Sequence, residues 1–77
     1  AILNKPIRAL KLRLPVLVRR DLSVRETIQR MVENSVGCVL VVEEDRLIGI
    51  FTERDVLTEV VGRSMDADAA TVEDVMT

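Results

Sequence analysis

An α/β (α+β) domain, with a three-stranded sheet carrying two helices on one face, is the fold this sequence predicts. Three observations carry the prediction. Two aliphatic runs, Cys38-Val39-Leu40-Val41-Val42 and Leu47-Ile48-Gly49-Ile50-Phe51, flank a polar turn, Glu43-Glu44-Asp45-Arg46, and read as an antiparallel strand pair. Apolar residues recur at helical spacing before and after that pair. Each helical stretch also opens on a hydroxyl three residues ahead of an acid, Ser23 before Glu26 and Thr52 before Asp55. In that arrangement the hydroxyl caps one orphan N–H and the acid reaches back to another.

Taken in order, residues 1–14 read as a short helix or turn around Pro6, with Ile7 and Leu10 on one side, followed by extended chain in which Leu10, Leu12 and Leu14 alternate. Pro15-Val16-Leu17-Val18 is the first strand. The helix that follows places Val24, Ile28, Met31 and Val32 on one face and ends near Asn34, with Gly37 supplying a permissive turn. The second strand is rich in β-branched residues and reads as covered on both faces. Asp45 is expected to accept a left-handed conformation in the turn. The second helix carries Val56, Leu57, Val60 and Val61 as its apolar stripe, and Gly62 ends it. Residues 64–70 are small and acidic, a linker, and Thr71-Val72-Glu73-Asp74 opens another helical turn.

Seventy-seven residues make one small domain, which buries only about 60% of the surface its unfolded chain exposes. Phe51 is the single aromatic residue, so the core is aliphatic and a partner is expected to cover part of it. Histidine is absent, which excludes His-based metal sites and Ser-His or Cys-His catalysis; no catalytic role is expected. The lone cysteine, Cys38, excludes an internal disulfide and agrees with a reducing, cytoplasmic location. It reads as a small buried hydrophobe, and the methionines as filler. Basic residues crowd the first thirty positions, but without aromatics to stack on bases a nucleic-acid contact is disfavoured. No apolar run has the length of a membrane span.

The stretch with chemical content is Leu47 to Leu57, where a strand hands the chain to a helix within one or two residues. The first helical N–H groups and the aligned peptide dipoles make such a junction an anion site. Thr52 adds a hydroxyl and Asp55 a carboxylate, so a phosphate and a sugar diol can be held side by side.

Gly49-Ile50-Phe51-Thr52-Glu53-Arg54-Asp55 resembles the signature of the cystathionine β-synthase (CBS) motif, a regulatory unit that works in pairs and often binds adenine nucleotides. The resemblance runs from about Pro15 to Gly62 and resumes at Val72-Glu73-Asp74-Val75-Met76-Thr77. It implies a CBS-like β-α-β-β-α unit over residues 15–63, with a leading segment over 1–14, a linker over 64–71 and the opening of a second motif over 72–77. With Ala1 as its first residue, the chain is expected to be a piece of a longer protein.

The resemblance also implies roles. Asp55 accepts both ribose hydroxyls, Thr52 donates to a phosphate oxygen and Arg54 adds charge. The base lies against Val36, Gly37, Cys38 and Val39, with Ile50 nearby. The implied ligands are AMP, ADP, ATP or S-adenosylmethionine, none tightly bound. The implied partner is a second CBS motif or an identical chain, as in a homodimer. A pairing module with no small-molecule ligand is the alternative.

Overall fold

The structure, a computed structural model, describes residues 15–77; the helix or turn expected over residues 1–14 lies outside them. In order come β1 (Leu17–Arg19), α1 (Val24–Asn34), β2 (Cys38–Glu43), β3 (Arg46–Thr52), α2 (Glu53–Asp55) and α3 (Val72–Val75). α2 runs without a break into a π-helical segment, Val56–Val61. The sheet order is β1-β2-β3. β1 is parallel to β2, with Leu17 opposite Leu40, and β2 is antiparallel to β3, with Leu40 opposite Ile50. The predicted three-stranded α/β arrangement is therefore the one observed.

Alternation along these strands decides what is buried. Val18, Val39, Val41 and Phe51 point to one side, where they meet Val24 and Met31 of α1 and Val72 and Val75 of α3. Leu17, Leu40 and Ile50 form a row on the other side, with Leu17 and Ile50 exposed. Among the described residues β2 is thus covered on one face only, contrary to the reading that it is covered on both.

α1 begins as its sequence dictates, with the Ser23 hydroxyl accepting the Glu26 N–H at 3.1 Å. Its buried face is Val24, Thr27 and Met31, and Val32 is 73% exposed instead of belonging to the inward stripe. Thr27 tolerates complete burial because its hydroxyl donates to the Ser23 carbonyl at 2.8 Å. The left-handed residue closing the helix is Ser35, at φ 52°, and not Gly37. Its N–H reaches the Val32 carbonyl and that of Val36 reaches Met31, a Schellman pair that spends the orphan carbonyls before glycine is needed.

The β2–β3 turn places both Glu44 (φ 48°) and Asp45 (φ 63°) in the left-handed region, as a two-residue hairpin of this twist requires. Asp45 behaves as anticipated, and Glu44 is the strained member. Replacing Glu44-Asp45 with Asn-Gly is expected to stabilise the fold by about 1 kcal/mol, read as a higher urea midpoint at unchanged slope. An unchanged midpoint would mean that the turn stores no strain.

The second helix departs from its expected form. Its wider π turns keep Val56 and Val60 half-buried while Leu57 and Val61 are each 66% exposed, so the four-residue stripe splits between core and surface. Gly62 ends it in a right-handed conformation, and a Cβ there would lie 2.6 Å from the Thr58 carbonyl oxygen. Close backbone approach, not a left-handed turn, is what requires that glycine.

Residues 64–71 are docked against α1. The Ala70 and Ala67 carbonyls accept the Val24 and Arg25 N–H groups, each at 2.9 Å, taking two of the orphan donors at the start of α1. Arg25 also pairs with Asp68, and that hydrogen bond, followed by the Asp68 charge, raises the arginine pKa. The chain then returns past α1 into α3, whose Val72 and Val75 complete the core.

Candidate functional site

At the end of β3, Thr52 is extended, and the helix starts at the next residue. Asp55, on the first helical turn, is 9% exposed, and its carboxylate is held from two directions. Oδ2 accepts the Thr52 N–H at 2.9 Å and the Thr52 hydroxyl at 3.0 Å, while the Asp55 N–H donates back to Thr52 Oγ1 at 3.3 Å. Oδ1 accepts the hydroxyl of Thr77 at 3.1 Å. The capping box anticipated at this junction is thus complete, and a second threonine joins it.

Besides Asp55, seven residues were anticipated for the ligand, and around this carboxylate they fall into two groups with Val39 beneath them. Thr52, Cys38 and Ile50 share the outward side of the sheet, since Cys38 pairs with Thr52 in the register and Ile50 lies two residues before it. Cys38 is exposed there, which corrects its reading as a buried hydrophobe: the strand alternation points it away from the core that Val39 enters. Arg54 is exposed on the first helical turn.

Val36 and Gly37 belong to the second group. They line an open groove of about 590 Å³ between the end of α1 and the start of α2, with Ile28, Met31, Glu53 and Leu57. Val39 is 1% exposed and supports the site from beneath without reaching its surface. Within this groove the Glu53 N–H donates to the Gly37 carbonyl at 3.0 Å, which ties the start of α2 to the chain entering β2. Two of the helix-start N–H groups offered to an anion, those of Glu53 and Asp55, therefore have partners within the chain.

Gly37 has no positive φ, and a Cβ added there would meet the Glu53 carboxylate only at ordinary contact, 3.6 to 3.8 Å. Nothing among the described residues demands glycine at this place, and its effect is to leave bare backbone at the lip of the groove. Gly49 differs, because a Cβ there would lie 2.5 Å from the Met76 sulfur. That glycine makes room for the segment that brings Thr77 to the site.

Thr77 is the residue the sequence reading missed. Its N–H donates to the Ile50 carbonyl at 2.8 Å, and the Ile50 N–H donates to its carbonyl at 2.9 Å, so it lies beside β3 as a short added strand would. The available signal was the resemblance carried by residues 72–77, which marks the segment but not its target.

A mixed three-stranded sheet feeding a helix at a nearly buried, threonine-held carboxylate defines a small α+β module. The family model of the CBS domain matches residues 7–62, and the chain belongs to that family. A CBS domain-containing protein of Arabidopsis thaliana is 43% identical over 49 residues, 64% of this chain and 9% of that protein. A protein of Methanocaldococcus jannaschii is 38% identical over 64 residues, 79% of this chain and 34% of its own length. The chain thus spans about a third or less of these curated relatives. Among solved structures, a CBS domain protein of Pyrobaculum aerophilum complexed with AMP superposes with a TM-score of 0.76 at 25% identity, over 90% of this chain and 53% of that one. No helix among the described residues is long and apolar enough to cross a membrane.

Proposed function

We propose that this chain is a regulatory sensing module that binds an adenine nucleotide or adenosyl ligand where it meets a second CBS motif or an identical chain, and so controls an attached output domain in the cytoplasm. The observation that carries the reading is Asp55, a nearly buried carboxylate at a strand–helix junction, with Thr52 beside it and exposed Arg54 next along the turn. A carboxylate offers acceptors alone, which suits a ribose diol, and bare backbone at Gly37 suits close approach of a flat base. The AMP complex of the Pyrobaculum aerophilum relative supports the ligand class. Residues 72–77 are the start of the second motif in this reading.

Pairing has its own support. The outward row Leu17, Leu40 and Ile50, with Leu47 exposed beside it, leaves apolar sheet uncovered, and Val32, Leu57 and Val61 do the same on the helical side. A domain this small gains stability by covering such surface. Binding one paired arrangement better than another shifts the output, since a ligand moves an equilibrium only by its differential affinity.

Calorimetric titration of AMP, ADP, ATP and S-adenosylmethionine is expected to show saturable binding of at least one, with a Kd on the order of 0.1 mM for a site without aromatic stacking. One observation favours a second reading, a pairing module with no ligand: each Asp55 oxygen already has a donor from the chain itself. The absence of heat from all four compounds, with sedimentation showing a dimer, would establish that reading instead.

A further inference from the structure

Thr77 stands 22 positions from Asp55 in sequence, yet its hydroxyl donates to Asp55 Oδ1. Three constraints put it there. Its backbone exchanges two hydrogen bonds with Ile50, Met76 lies over Gly49, and Val72 and Val75 anchor the segment in the core. The residue itself is exposed, so no packing need holds its side chain where it is.

Its position matters because of how the carboxylate is shared. Oδ2 is committed to two donors from Thr52, both part of the cap that starts the helix. Oδ1, with a single donor from the described chain, is the oxygen with capacity left for a ligand hydroxyl, and Thr77 already uses part of it with the same kind of donor, an aliphatic hydroxyl.

Building on the sensing reading, we propose that Thr77 is the chain's own placeholder in the ligand site: its hydroxyl competes with a ligand hydroxyl for Asp55 Oδ1, and its displacement carries occupancy into the Thr71–Met76 segment. A contact made in the empty site and lost in the filled one is a differential interaction, the only kind through which a ligand shifts an equilibrium. Coupling of this sort is reciprocal, so whatever frees Thr77 also tightens ligand binding.

The test uses AMP as probe on the full chain and its Thr77→Val and Thr77→Ser variants. Affinity is measured by calorimetry, and exchange of the Thr77 and Ile50 amides by NMR, whose spectra also report that each protein is folded. Valine keeps the branch at Cβ and the backbone pairing but cannot donate. It is expected to bind AMP about three- to tenfold more tightly, the net weight of one partly exposed hydrogen bond, while serine matches the wild type. AMP is expected to speed exchange of the Thr77 amide in the wild type. Weaker binding by the valine variant would make Thr77 a ligand contact, and equal binding would make its hydrogen bond a bystander; either overturns the placeholder while the sensing reading stands. If none of the three proteins responds to AMP, the placeholder proposal fails, and the sensing reading is then decided by the titrations of ADP, ATP and S-adenosylmethionine.

Discussion

Truncation of Phe51 to alanine is expected to cost about 3–5 kcal/mol, measured by urea unfolding. Phe51 is fully buried at the centre of the core, opposite Val39 in β3's pairing with β2. Its buried neighbours are valines and one methionine, Met31. β-branched side chains have few rotamers with which to fill the space left by a ring, so the cavity persists and the cost lies toward the upper end of the range. Domains of ordinary stability have only about 5–15 kcal/mol to lose, so the variant should be largely unfolded in dilute urea. Phe51→Leu preserves most of the volume and should lose less than about 1.5 kcal/mol. A small loss from alanine would mean that α1 and α3 collapse onto the sheet and that the core is not built around this ring.

The strands, both helix starts and the hairpin were legible because each depends on residues within a few positions of one another. Thr52 and Asp55 form their cap from three residues' separation, and Glu44-Asp45 form their turn from adjacent positions. Where the reading failed, the register of an element or a contact that the apolar pattern does not encode decided the outcome. Thr27 displaced Val32 from the inward face of α1 because the sheet lies on that side and Ser23 could satisfy its hydroxyl. Ser35 took the left-handed position because the Schellman hydrogen bonds close the helix two residues before Gly37. Cys38 looked like core by composition, but the register set by Val39 and Phe51 turns it outward. Residues 64–71, small and acidic, carry no periodic signal, so the docking of the Ala67 and Ala70 carbonyls on the start of α1 has no trace in the sequence. Thr77 was the hardest to see, since its partner lies far away in sequence and nothing local specifies the contact.

Asp55→Ala is expected to separate the two roles concentrated in this carboxylate. Its structural role is the cap: alanine removes the one oxygen that accepts both Thr52 donors and the oxygen that accepts the Thr77 hydroxyl, at a cost to stability of about 1–2 kcal/mol. Its proposed ligand role is larger. Charge-assisted hydrogen bonds contribute about 1.5–3 kcal/mol each, so losing two from a ribose diol should weaken AMP binding by a hundredfold or more. Asp55→Asn tells the effects apart. Asparagine keeps a carbonyl oxygen for the Thr52 N–H and is a good capping residue, so most of the stability should return. Its NH2 group, however, is a donor where a diol needs an acceptor, so AMP binding should stay at least tenfold weaker than in the wild type. A stable Asn variant that binds AMP as well as the wild type would show that the carboxylate serves the helix alone. The nucleotide would then have to be held elsewhere, and the groove beside Gly37 would be the first place to probe.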